Sequence, residues 1–175
     1  STYFSCDGVD DEPPSRQRRA PSLHSVAEGN EDGTDQPQPM YTTVMRKNPE
    51  FLKQVVREFV QQFVKGQQVH VVRGSGKTTA VVFKLHRDVD AFDLMVGPEE
   101  KRTIALPMVG QVLPGAIGKR TLGLEQPIDD LCAVIQLANE SCLTIRFDKH
   151  GDADRFVLCM QLFVDEHRRK ARKPV

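Results

Sequence analysis

The hydrophobic and polar positions near the end of the chain alternate first with a period of two and then with a helical period. Residues 141–147 (SCLTIRF) set Leu, Ile and Phe against Cys, Thr and Arg, which predicts a strand with one buried face. Asp152 stands where the N-cap of a following helix is expected, and apolar residues then recur on one stripe as far as Val164. Basic residues follow this stripe and suit the negative end of the helix dipole. The pattern predicts a strand that leads into one amphipathic helix, which needs a sheet to cover.

A second helical period, over residues 49–65, predicts a helix ahead of the strands. Asn48 supplies the N-cap, Pro49 suits the first helical position, and Gly66 suits the position just after the last turn. Apolar residues form a double row along one face, and charged and amide side chains occupy the opposite face. A stripe of this width is typical of core packing, and the alternative is a face that docks a protein partner. For docking, the candidate residues are Phe51, Val55, Phe59 and Phe63.

Between the two helical segments the hydrophobic period is two, and turn residues interrupt it at short intervals. The connections are too short for helical crossovers, so we expect the strands to pair antiparallel. Several glycines and Pro127 predict a long loop over 114–130. The predicted strands cover residues 67–73, 78–87, 91–96, 102–106, 108–113, 131–138 and 141–147. The sequence therefore predicts a mainly β fold, an antiparallel barrel or sandwich of about seven strands, capped by the C-terminal helix and preceded by the extra N-terminal helix.

The first forty residues differ in composition from the rest of the chain. They hold five of the 11 prolines, with eight acidic and three basic residues, so their net charge is −5 although the whole chain is neutral. They contain few apolar residues to offset the loss of chain entropy on folding. We therefore predict a disordered N-terminal region over 1–43 and a folded domain over 44–172. The neutral total gives no attraction to nucleic acid.

The order of strands and final helix over residues 67–172 resembles that of a pleckstrin-homology domain. The segments 48–56 (NPEFLKQVV) and 154–163 (DRFVLCMQLF), behind a polar N-terminal region, are similar to the inner-membrane-complex sub-compartment proteins of apicomplexan parasites. This resemblance implies a non-catalytic scaffold that binds protein partners on the cytoplasmic side of a membrane, at the inner membrane complex or cell cortex. It also implies anchoring by N-terminal myristoylation and palmitoylation. The sequence shows no N-terminal Met-Gly pair, so Cys6 is the lipidation candidate that it offers.

The same resemblance implies that phosphoinositide head groups, if bound, would lie at the hairpin between the first two strands. The candidate residues for such a site are Arg73, Lys77 and Lys84. The arginine that the resemblance places within the second strand is absent, because positions 79–82 hold Thr, Ala, Val and Val. A multiply charged phosphate is recognised by converging bidentate donors. Specific phosphoinositide binding is therefore not expected, and it stays as the alternative to a protein-binding scaffold.

Other motifs in the chain have simpler structural explanations. Residues 73–79 (RGSGKTT) resemble the end of a nucleotide-binding loop, but Val71 stands where a glycine is required and a strand follows instead of a helix. Turn and helix-cap roles account for the acidic residues and His150 in 148–154, which do not follow the calcium-loop pattern. We predict no catalytic activity, no metal site and no cofactor. Three cysteines fall in apolar segments and are predicted to be reduced, buried thiols: Cys132, Cys142 and Cys159.

Overall fold

The computed structural model describes residues 47–172, and residues 1–46 and 173–175 lie outside that description. The predicted disordered region 1–43, its boundary with the domain and Cys6 therefore stay predictions. Every predicted strand lies within two residues of an observed strand at both ends. In chain order the elements are α1 (Pro49–Lys65), β1 (Gln67–Val72), β2 (Thr78–Leu85), β3 (Ala91–Val96), β4 (Glu100–Ala105), a 3-10 segment (Leu106–Met108), β5 (Val109–Pro114), α2 (Gly115–Leu122), β6 (Cys132–Leu137), β7 (Cys142–Arg146) and α3 (His150–Arg172).

The seven strands form one antiparallel sheet in the order β4-β3-β2-β1-β7-β6-β5. The two edge strands, β4 and β5, follow each other in the chain and are joined by the short 3-10 segment. A connection of three residues cannot span a flat sheet of this width, so the sheet must curl until its edges approach each other. The prediction of a mainly β fold with about seven strands and a helix at each end is confirmed.

Helix α3 covers the seam between the two sheet edges, where it contacts β5, β6 and the 3-10 segment. Its Phe156 is fully buried and lies against four other rings, with centroid distances of 5.1 to 6.0 Å. Aromatic pairs at such distances add to the stabilisation from burial alone. Phe156 therefore joins both helical ends of the domain to the inside of the sheet. Its partner rings belong to Phe59, Phe63, Phe83 and Phe147.

Helix α1 packs against β2 and α3, which decides between the two interpretations of its apolar face. The predicted cap is confirmed, since Asn48 Oδ1 accepts a hydrogen bond from the backbone N–H of Phe51 at 3.2 Å. Val55, Phe59 and Phe63 are buried in the core, so the docking role considered for these three is wrong: a partner cannot reach them in the folded domain. Phe51 is 48% exposed, and its role as a docking residue stays a prediction.

The two terminal helices run antiparallel to each other. Near the end of α1, Phe63 lies 5.8 Å from Phe156, and one turn earlier Phe59 lies 6.0 Å from both Phe156 and Phe163, which is further along α3. The Arg155 guanidinium also donates to the side-chain oxygen of Gln62 at 3.1 Å. Residues nearer the start of α1 therefore lie beside residues nearer the end of α3, so the start of α1 and the end of α3 are on the same side of the domain.

Helix α2 occupies the first half of the segment predicted to be a loop over 114–130, so the prediction is wrong for that half, whereas residues 123–130 form a loop as predicted. Its glycines serve close packing rather than turns: a Cβ added to Gly118 would lie 2.8 Å from the side chain of Val134 on β6. Gly123 then ends the helix in the left-handed conformation, with φ of 61°. Glycines that allow a helix to approach a strand cannot be told from turn glycines by their spacing alone.

Helix α2 and the segment 123–131 also bury part of the outer face of the sheet. The hydroxyl of Thr144 donates to Gln126 Oε1 at 3.2 Å. The residue is only 2% exposed, although strand alternation predicts a solvent-facing position. Cys142 is exposed, so its prediction as a buried thiol is wrong: the cover does not extend to the first residue of β7. Cys132 and Cys159 are buried and reduced. The outer cluster contains Val72, Ile128, Cys132 and Val134, with Leu122 and Leu124 packed against it.

The start of α3 also differs from the prediction. The helix begins at His150, so Asp152 lies in its first turn and is not the N-cap. The negative charge of Asp152 still interacts favourably with the positive end of the helix dipole, and its Oδ1 accepts a hydrogen bond from Arg155 at 3.2 Å. At the other end of the helix, Arg168 donates to the backbone oxygen of Gly110, which fastens α3 to β5.

The aromatic cluster predicts a large difference between two phenylalanines of α1. Phe59→Ala removes a fully buried ring and should lower the free energy of unfolding by about 3–5 kcal/mol. Phe51→Ala alters a half-exposed ring and should lower it by about 1 kcal/mol or less. Urea unfolding followed by circular dichroism measures both values. Equal losses for the two variants would contradict the packing of α1 in the core.

Candidate functional site

The inner face of the curled sheet changes in character from one end to the other. Near α3 it is filled by phenylalanine rings, and the next layer is aliphatic. At the opposite end lies an open cavity of about 160 Å³, which we call the mouth cavity. Its lining residues lie on strands or directly after β1, and none lies on a helix. The aliphatic wall consists of Val71, Val81, Leu94, Val96 and Leu143, and the polar rim consists of Arg73, Thr79, Glu100 and Arg102.

Strand alternation places these residues at the mouth cavity. On β4, Glu100 and Arg102 pair with Val96 and Leu94 of β3, and these positions share the inner face with the buried Ile104. A predicted strand that began at residue 102 left this relation unseen. Arg102 is therefore a rim residue that the sequence analysis missed, and the alternation of 100, 102 and 104 was the signal that could have found it.

The β1–β2 hairpin supplies the other cation of the rim. Arg73 Nε donates to the hydroxyl of Thr79 at 2.8 Å, and the backbone N–H of Arg73 donates to the carbonyl of Lys77 at 2.8 Å. Gly76 allows the tight turn with φ of 80°. Within residues 47–172, neither Arg73 nor Arg102 forms a salt bridge. The rim thus presents two guanidinium groups without a carboxylate partner in the described domain.

The three residues predicted for lipid head groups do not come together. Arg73 and Lys77 share the hairpin, whereas Lys84 lies near the other end of β2, about 20 Å further along the strand. Lys84 also points to the outer face, where it stands opposite Asp93 in the register with β3. A single site built from all three residues is therefore wrong, because one phosphate group cannot contact both ends and both faces of the strand.

The outer face near Lys84 carries a buried carboxylate, Asp93, which is 5% exposed. Asp93 accepts a hydrogen bond from the Thr103 hydroxyl at 2.7 Å and lies 3.0 Å from Lys101 Nζ and 3.2 Å from His86 Nε2. Burial raises the pKa of Asp93, but these hydrogen bonds and the nearby His86 outweigh it, so the pKa is lower than usual. Its acceptor positions are occupied, and the group serves to connect β3, β4 and the end of β2.

A second polar cluster fastens the segment 123–131 to the sheet. The Arg146 guanidinium lies 2.7 Å from Asp129 Oδ2, and Asp129 Oδ1 accepts hydrogen bonds from the Leu131 backbone at 3.0 Å and the Cys132 thiol at 3.4 Å. Burial raises the pKa of the Cys132 thiol, and burial raises that of Cys159 to about 12. Both thiols are therefore protonated near neutral pH and are poor nucleophiles.

Metal binding finds no support in the part of the chain that the structure describes, where no three His, Cys, Asp or Glu side chains gather as ligands. None of the helices described between residues 47 and 172 combines the length and apolar character needed to cross a bilayer.

Comparison with known proteins gives matches in structure. No protein-family model and no curated protein matches the chain. Inner membrane complex sub-compartment protein 1 of Toxoplasma gondii is 16% identical, with a TM-score of 0.57 over 63% of this chain and 91% of that one. Sub-compartment protein 3 of the same organism is 17% identical, with a TM-score of 0.54 over 66% of this chain and 87% of that one. A third match is the pleckstrin-homology domain of human oxysterol-binding protein-related protein 11, at 12% identity, with a TM-score of 0.47 over 63% of this chain and 87% of that one.

The chain has a pleckstrin-homology-like fold. The resemblance in fold predicted from the order of strands and final helix is thereby confirmed. At identities of 16% and 17%, the similarity to the two Toxoplasma structures extends to the fold alone. The pleckstrin-like domain here carries α1 as part of its core, since Phe59 and Phe63 are buried between the sheet and α3.

Asp93 predicts an acid sensitivity of the pleckstrin-like domain. Because its folded-state pKa is lowered, its contribution to stability is complete above the unfolded pKa of about 3.9 and is lost as the pH falls through the folded value. Asp93→Asn should therefore be less stable than wild type at pH 7 and lose less stability between about pH 4 and pH 2. Unfolding in urea at several pH values measures this, with exposed Asp88→Asn as control. Parallel pH profiles for wild type and Asp93→Asn would contradict it.

Proposed function

We propose that this protein is a non-catalytic scaffold that binds a protein partner through its pleckstrin-like domain while it is held at a membrane. The observation that carries the proposal is the composition of the mouth cavity, where five aliphatic side chains form the wall and one carboxylate, Glu100, shares the rim with the arginines. Such a surface offers apolar contact area to a protein. A highly charged head group gains little from an aliphatic wall.

The hairpin chemistry supports the same choice. Recognition of a multiply charged phosphate uses guanidinium groups that converge on it with paired donors. Here the Nε of Arg73 is already engaged by Thr79, and Lys84 lies at the far end of β2 on the outer face. Thr79 lies on the inner face of β2 at the mouth, and because it carries no charge this strand adds no cation to Arg73 for binding phosphate.

The membrane location is proposed from the resemblance and from the similar structures. Both Toxoplasma proteins are named for the inner membrane complex, and we propose the cytoplasmic side of that membrane system, at the cell cortex, as the location of this chain. N-terminal acylation is the proposed anchor, with Cys6 as the site of palmitoylation. One acyl chain gives only marginal binding, so a second signal is part of the proposal.

Phosphoinositide binding is the second candidate function, and the positions of Arg73, Lys77 and Arg102 are the observation in its favour. All three lie on the hairpin or strand that borders the mouth cavity. Without a converging fork of donors, we expect their attraction to anionic lipid to be electrostatic and non-selective. It should therefore follow the charge of a vesicle rather than the identity of its head groups.

Vesicle flotation separates the two functions. The purified chain, which lacks acyl groups when made in bacteria, should float equally with vesicles that contain a phosphoinositide and with vesicles matched in charge by phosphatidylserine. Raising the salt concentration should remove the residual binding to both, because exposed charges are screened. Binding that requires the phosphoinositide, and that is lost in Arg73→Ala, would replace the scaffold function with the lipid-binding one.

Cys6 predicts the membrane distribution in the cell. In Cys6→Ser the share of the full chain in the membrane fraction should fall, because one remaining signal gives only marginal, reversible membrane binding. Cys142→Ser is the matched control, since Cys142 is an exposed cysteine of the folded domain. Fractionation of cells that express each variant measures the distribution. An unchanged membrane share for Cys6→Ser, or an equal fall for Cys142→Ser, would contradict anchoring at Cys6.

A further inference from the structure

The mouth cavity has the size of one large apolar side chain. Its volume is about 160 Å³, and a cavity of about 150 Å³ lined by apolar groups holds a benzene molecule. Val71, Val96 and Leu143 are half-buried at its wall, and Leu94 and Val81 lie deeper. A leucine or phenylalanine side chain from another molecule would therefore cover aliphatic surface that the domain leaves in contact with water.

The rim of the cavity selects the charge of what enters. Arg73 and Arg102 have no salt-bridge partner among the described residues, and Glu100 is the only acidic residue that lines the cavity. Lys77 adds a further positive charge on the hairpin. The rim is therefore net positive, and it is complementary to an acidic segment.

We propose that the mouth cavity binds a peptide segment of a partner protein, in which one leucine or phenylalanine enters the cavity and flanking aspartate or glutamate residues pair with Arg73 and Arg102. The inference rests on the scaffold function proposed above and gives the chemistry of the partner. A lipid head group fits less well, because it has no apolar side chain to cover the aliphatic wall. A second copy of this chain would bring the acidic residues 1–40, but these contain few apolar side chains that could cover the aliphatic wall.

The acidic flanks give specificity, and the apolar residue gives most of the buried area. Paired charges at the exposed rim contribute modestly each, but a basic flank would be repelled by both arginines. An acidic segment without the apolar residue would leave the cavity empty. The binding sequence therefore needs both features within a few residues of each other.

Selection from a random library of 12-residue peptides displayed on phage tests the proposal, with the full chain immobilised. Wild type should enrich sequences that carry Leu or Phe within three residues of Asp or Glu. A peptide from that set, labelled with fluorescein, then gives dissociation constants by fluorescence anisotropy. Arg102→Glu should weaken binding by about tenfold or more, because it replaces attraction by repulsion at the rim.

The control variants separate the mouth cavity from general charge. Lys84→Glu changes the net charge by the same amount on the outer face and should leave the dissociation constant unchanged. Glu100→Gln should strengthen binding, since it removes the acidic rim group. The side chain of Arg102 makes no hydrogen bond or salt bridge with the other described residues, and a thermal melt checks that its variant folds.

Any one of the following results would overturn the inference. The first is a library selection without enrichment of acidic, apolar sequences, or enrichment that survives Arg102→Glu. The second is the absence of any peptide binding together with Arg102-dependent binding to phosphoinositide vesicles, which would assign the rim to lipid. The third is an Arg102-dependent dimer in sedimentation, which would assign it to a second copy. If a partner cross-linked in cells is retained by Arg102→Glu, the scaffold function stands and the mouth cavity is not its site.

Discussion

The seam between β4 and β5 is the constraint on which the rest of the domain depends. These two strands end the sheet on either side and do not pair, so the curled sheet cannot exclude water from its interior by hydrogen bonding alone. Helix α3 covers the seam and inserts Phe156 among four rings. Because two of these rings belong to α1, the helix before the strands and the helix after them depend on the same cluster.

The arrangement also explains why one end of the sheet is free. The aromatic layer and α3 fill the interior at one end, which leaves the aliphatic layer of the opposite end only partly covered. Partly exposed aliphatic side chains inside a curled sheet form a candidate binding surface, and the charges on its rim would select the molecules that bind. The aromatic core and the proposed binding surface thus lie at two ends of the same strands, as Phe83 and Thr79 of β2 show.

Much of the fold could be predicted from local physical signals. Asn48, Pro49 and Gly66 mark α1 because each suits a backbone position that few residues fill well. The period-two segments predict the strands because alternate residues of a strand face the core, and burial of that apolar face is also what stabilises the strand. Predictions failed where burial came from a distant segment: Thr144 is covered by Gln126, and Gly118 is a packing residue only because Val134 lies against α2. The site was harder: alternation on β4 can place Arg102 on the inner face, but its approach to Arg73 of the β1–β2 hairpin depends on the curvature of the whole sheet.

The antiparallel arrangement of α1 and α3 has a consequence for how the domain can be attached to other things. The first residues of α1 and the last residues of α3 lie on one side of the molecule, and none of them lines the mouth cavity. A lipid group or a fusion partner joined ahead of residue 49 therefore enters the described domain through α1, which packs against β2 and α3 and contributes no residue to the lining of the mouth cavity.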